Sequence, residues 1–164
     1  MRTALIALVL AALSINVYSQ PHADHGGADA RSSVTVSFGA GLNTNQPGNP
    51  ANHHILPKEI KISRGGVVNF VVAGFHQVMV YKPGTLPEHI GVPTSGTFIN
   101  YSPNLFYTGI SPAGGPLGTP ATANPHNGSN RVESVSFPEP GRYLVICNVR
   151  GHFLDGMYAF VQVN

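Results

Sequence analysis

A thiol, an imidazole and a thioether stand close together near the C-terminus. They are Cys147, His152 and Met157, spaced C-x4-H-x4-M in the run Cys147-Asn-Val-Arg-Gly-His152-Phe-Leu-Asp-Gly-Met157. Soft sulfur donors combined with imidazole select copper over hard cations. The run joins two apolar stretches, 142–147 (RYLVIC) and 157–163 (MYAFVQV), so each stretch fixes one donor. Gly151 and Gly156 let the connecting backbone bend enough for three side chains to converge. A second imidazole is missing from this loop, and His76 supplies it, in Gly74-Phe75-His76-Gln77-Val78 at the start of an upstream apolar stretch. Other histidines compete for that place. His89, His126 and the pair His53-His54 read as solvated loop residues, with His54 the substitute for His76. A cysteine between two strands is, taken alone, most often a small buried hydrophobe.

The elements that must position these donors are strands. Seven short segments alternate or are rich in β-branched residues: 33–38, 59–63, 67–72, 76–81, 132–137, 142–147 and 157–163. Gly65-Gly66, Ala73-Gly74 and the run PEPG at 138–141 supply turns between them. No stretch carries a sustained helical period. Strands at this spacing point to an all-β sandwich or barrel of the Greek-key kind. Between 83 and 131 the texture changes to a long Pro/Gly-rich insertion. Phe98, Tyr101, Leu105, Phe106 and Tyr107 give it material to bury, so it reads as a flap packed over the sandwich.

Composition narrows the class. Hydrophobic residues make up 42% of the 164 and charged ones 10%, with 19 Gly and 14 Pro, which argues against a coiled coil, a helical bundle or a disordered chain. Nine Lys/Arg against seven Asp/Glu form no basic stripe, so nucleic acid is not an expected partner. One cysteine excludes an intrachain disulfide framework. Arg2 followed by the apolar run 4–13 and small residues up to Ser19 reads as a secretory signal peptide over 1–19. The run is too short for a stable membrane span. Residues 20–31 (QPHADHGGADAR) read as a flexible arm and 32–164 as one domain. Cleavage after Ser19 would place His22 third in the mature chain, but Pro21 lacks the amide nitrogen of an amino-terminal copper site, leaving His22 and His25 at most a loose copper trap. Asn100-Tyr-Ser and Asn127-Gly-Ser match the glycosylation pattern and are read as chance.

With these residues in view, the chain resembles the cupredoxins, the family of plastocyanin, azurin and pseudoazurin. The resemblance runs from about Ile55 to the C-terminus, apart from the insertion. It rests on Ile62-Ser-Arg-Gly-Gly-Val-Val-Asn-Phe, on His76, and on Phe137-Pro-Glu-Pro-Gly-Arg-Tyr-Leu-Val-Ile-Cys147 leading into the ligand loop. It implies a Greek-key β-sandwich holding one mononuclear type 1 copper, with His76, Cys147 and His152 equatorial and Met157 the weak axial ligand. Gln77 stands where many members carry Asn, and Phe75 where azurins carry Gly. The loop spacing is similar to that of multicopper oxidases. Ile146 and Asn148, however, flank the cysteine in place of the two histidines that serve their trinuclear cluster, which disfavours dioxygen reduction.

Together with the signal peptide, the family likeness implies an exported one-electron carrier and no enzyme activity, in the periplasm or otherwise outside the cytoplasm. Redox proteins, a cytochrome or a copper-containing donor or acceptor, would dock transiently near His152 on an apolar patch of Phe153, Leu154 and Met79. The alternative is a periplasmic copper-binding protein for storage, delivery or resistance, using the same ligands. A catalytic copper protein with an open coordination position is a further rival.

Overall fold

The structure is a computed structural model that describes residues 33–43, 52–113 and 130–164. The segments expected to be a signal peptide (1–19) and an arm with His22 and His25 (20–31), and the part of 83–131 holding His126 and Asn127, lie outside the described residues.

Period-2 alternation sets the sheets. Val67–Ala73 (β4) alternates half-buried and buried positions, so Val68, Phe70 and Val72 point inward. It lies parallel to Ser33–Gly39 (β1) and antiparallel to Asn130–Ser136 (β7), while Ile55–Leu56 (β2) extends the other edge of β1. The second sheet runs Glu59–Ile62 (β3), Tyr158–Val163 (β9), Gly141–Cys147 (β8), Val78–Tyr81 (β5) and Leu105–Thr108 (β6), in that spatial order. Its β3 and β9 are parallel and the other pairs antiparallel. Two mixed sheets facing each other make the expected all-β sandwich, with the chain crossing between sheets at β2–β3, β3–β4, β4–β5, β6–β7 and β7–β8.

The main core lies between the sheets and joins Phe38, Phe70 and Phe137 to Tyr143, Val145, Met157 and Val161. A second cluster lies on the outer face of the five-stranded sheet, where Met79, Tyr81, Leu144 and Ile146 meet Ile90, Ile99, Tyr101 and Leu105. Strands β5 and β8 are therefore covered on both faces, which explains their unbroken apolar runs.

Each of the seven expected segments contains a strand, and two further strands appear. The described part of 83–131 covers the sheet and also supplies its edge strand β6, which pairs with β5 through an irregular register at Val80/Tyr81. A tertiary partner makes this strand; Leu105-Phe106-Tyr107-Thr108 lacks the alternation that would announce it. The ligand loop also contains a single helical turn, Arg150–Leu154 (α1), too short to leave a periodic trace.

Candidate metal centre

Cys147 ends β8. Its amide donates to the Met157 carbonyl at 3.0 Å, and its register partner on the other side is Val78. The pairing of β8 with β9 places Met157 directly opposite Cys147, so both side chains share the inward face, and both are fully buried. His152 lies on α1, and Gly156, at φ +86°, turns the chain back so that the Met157 amide reaches the His152 carbonyl at 2.9 Å. Gly151 lies within α1 and makes no such turn.

His76 sits between β4 and β5, with its amide bonded to the Gly74 carbonyl at 2.9 Å. Its ring occupies space that only a glycine at position 39 leaves open. A Cβ there would come within 2.4 Å of Nε2, and φ at Gly39 is +76°.

The structure brings the three nitrogen and sulfur donors together. Nδ1 of His76 and Nδ1 of His152 lie 3.7 and 3.6 Å from Cys147 Sγ and 2.9 Å from each other. Among the described residues these three form one group whose ligand atoms all lie within 4.8 Å. A circle through atoms at those separations has a radius of about 2.0 Å, matching metal–nitrogen and metal–sulfur bonds of about 2.0–2.3 Å. The donor set fits a single trigonally held ion, and its softness suits copper. His89 is exposed and only receives the Leu86 amide at 3.2 Å.

The electrostatics ready the two imidazoles for metal uptake and hold the proton on the thiol. Burial holds the His76 imidazole down at about 3, with His152, His53, His54 and Arg131 adding to the effect. Burial likewise holds His152 at about 4, His53 adding to it and Asp155 opposing. The Cys147 thiol is pushed up to about 11 by burial, although the Gln77 and Val149 amides and the Arg131 charge pull the other way.

The bond between the two ligand loops is present despite the longer Gln77. Its Oε1 accepts from Asn148 Nδ2 at 2.7 Å, and its Nε2 donates to the Gly109 carbonyl at 2.8 Å. Asn148 also accepts the Asn100 amide at 2.8 Å and donates to Asn100 Oδ1 at 3.0 Å. The cover over the sheet is thereby tied to the residue after Cys147. Asn100, read in the sequence only as a chance glycosylation match, is part of that tie.

Two expectations are corrected. Met79 is buried in the outer cluster and contributes nothing to a surface patch, because it points to the opposite face of β5 from Val78 and Val80. His53 and His54 are not solvated loop residues. His54 is buried, and the His53 ring stacks on His152 at 3.7 Å between centroids while its Nδ1 bonds Asp155 Oδ2. Nothing in the local sequence pairs His53 with the remote Asp155. Of the expected patch, Leu154 is exposed and Phe153 half-buried against Tyr158; Phe75, exposed, joins this end of the molecule and pairs with Phe98. A cleft lined by Ala40, Asn52, His53, Phe75 and Asn130 opens beside His76 and His152.

No family model matches the chain, and no curated protein matches it. Solved structures do. Dithionite-reduced auracyanin from the photosynthetic bacterium Roseiflexus castenholzii is 18% identical, with a TM-score of 0.46 over 82% of this chain and 98% of that one. Native pseudoazurin from Hyphomicrobium denitrificans is also 18% identical, with a TM-score of 0.44 over 80% of this chain and 75% of that one. The copper-containing nitrite reductase of Thermus scotoductus SA-01 is 17% identical, with a TM-score of 0.39 over 80% of this chain but 22% of the reductase.

Proposed function

We propose that this protein is an exported mononuclear type 1 copper protein that carries single electrons between redox partners. The observation that carries the reading is the triangle of His76 Nδ1, Cys147 Sγ and His152 Nδ1, sized for one ion. His76, Cys147 and His152 would hold the metal, with Met157 supplying a thioether from the same face as the thiolate. Bound copper would supply a one-electron couple. The chain's own part is to hold the donors still and keep water out. Cys147 and Met157 have no exposure, His76 has 2%, and the donors are fixed by strand pairing and by the bond from Gln77 to Asn148. A site that cannot rearrange changes oxidation state with little motion, which favours rapid electron transfer. His152, half-buried, is the ligand nearest solvent, so redox partners would dock transiently around it. The signal peptide read over 1–19 would place the centre outside the cytoplasm.

The test is to load the protein with copper(II) and record the visible and EPR spectra. An intense thiolate-to-copper band with narrowed hyperfine splitting is expected, and Cys147→Ser abolishes both. A pale spectrum that survives the substitution would sink the reading.

One observation favours the copper-handling alternative, namely the crowding of His53 against His152 and His76. Tight copper binding with slow electron self-exchange would support storage or delivery; rapid self-exchange supports the carrier. A catalytic copper with an open position would bind azide and change colour, whereas the carrier's spectrum stays unaltered by azide.

A further inference from the structure

The inward face of β7 carries charge where its alternation calls for apolar side chains. Val135 and, just past the strand, Phe137 face the core, and the same face continues through Glu133 to Arg131 toward the metal end. Val132, pointing outward, is 60% exposed. The Arg131 and Glu133 side chains keep only 10% and 2% of their exposure. Arg131 Nε and Nη2 both lie 2.5 Å from Glu133 Oε1, the Tyr107 hydroxyl donates to Oε2 at 2.8 Å, and the Ile110 amide donates to Oε1 at 3.2 Å. Gly109 leaves room for the carboxylate, since a Cβ there would come within 2.1 Å of Oε2. Arg131 Nη2 also donates to two backbone carbonyls, that of Ile110 at 2.8 Å and that of His76 at 3.2 Å.

Burying an ion pair in a sandwich interior seldom stabilises the fold more than apolar packing would. This pair makes one contact that packing residues could not make, a charged hydrogen bond to the backbone of a donor residue. A metal that exchanges one electron changes its own charge by one, and a fixed charge nearby in a low-dielectric interior acts directly on that change. The Arg131 charge is felt by both His76 and Cys147.

Resting on the copper reading above, we infer that Arg131 and Glu133 are a positioning pair that sets the reduction potential of the centre. Arg131 fixes the His76 turn through its carbonyl and favours the reduced metal, while Glu133 counters that charge. Replacing the two residues must therefore move the potential in opposite directions.

The experiment uses the copper-loaded full chain with Arg131→Gln, Arg131→Lys and Glu133→Gln, and measures the potential by spectroelectrochemical titration. The visible band monitors the centre and circular dichroism the fold. Arg131→Gln lowers the potential and Glu133→Gln raises it, each through at least a threefold change in the ratio of copper(I) to copper(II) affinity, about 28 mV for a one-electron couple. Arg131→Lys keeps the charge and stays within that threefold. A merely structural role would shift both variants the same way or neither, and either result overturns the inference. Should Arg131→Gln fail to fold, Glu133→Gln must still raise the potential and Arg131→Lys leave it. Absence of the intense band in the unaltered protein removes the copper reading, and this inference with it. A normal band with unmoved potentials overturns this inference alone.

Discussion

At neutral pH the two imidazoles of the centre are uncharged and ready to bind, because burial holds them at about 3 and about 4, whereas the Cys147 thiol, pushed up to about 11, keeps its proton. Uptake of one copper(II) at pH 7 is therefore expected to release close to one proton, all of it from sulfur. Calorimetry in buffers of different ionisation enthalpy measures this number; a release near zero would mean the thiol does not bind. The same values set the acid limit of the metal-free protein. An unfolded histidine takes a proton near 6.5 while His76 resists until about 3, so the unfolded chain binds protons first as the pH falls. Stability is unaffected by this group above pH 6.5 and is lost below it, at up to about 1.4 kcal/mol per pH unit. Urea melts of the metal-free protein at pH 7 and pH 4.5 check the direction.

Between the strands, the tie from Gln77 through Asn148 to Asn100 joins both ligand loops to the outer cover. Asn148→Ala leaves Gln77 Oε1 and the Asn100 amide without this partner, and is expected to cost about 1–3 kcal/mol in a thermal or urea melt. It is also expected to weaken copper binding by about 10–100-fold in a chelator competition. Ordinary affinity in a destabilised variant would show that the tie serves only the fold. Much of this level was legible beforehand. The strands of the core announced themselves by alternation or by unbroken apolar runs, and the Cys147, His152 and Met157 spacing pointed to one convergent loop. What was not legible depends on partners remote in sequence. β6 becomes a strand only beside β5, and His53 gains its place only by stacking on His152. The inward charges of β7 were within reach, since placing Val135 and Phe137 inside puts Glu133 and Arg131 on the same face.

For the molecule as a whole, the end bearing His152 presents Leu154 and Phe75 to solvent. Leu154→Asp, at an exposed position, is expected to slow electron exchange with a redox protein several-fold and leave the visible spectrum unaltered; an unchanged rate would remove this end as the docking surface. Among the described residues, no helix is long and apolar enough to cross a membrane. The donors come from different parts of the sandwich: His76 precedes β5, Cys147 ends β8, and the two are 71 residues apart in the chain. They meet only once the five-stranded sheet has paired β5 with β8. An unfolded chain therefore offers Cys147, His152 and Met157 within one short run but not His76, and the full donor set exists only in the folded protein. Stripping the metal should consequently leave the secondary structure in place, since the strand pairing that assembles the donors is made by backbone hydrogen bonds and apolar packing, and circular dichroism of the metal-free protein checks it.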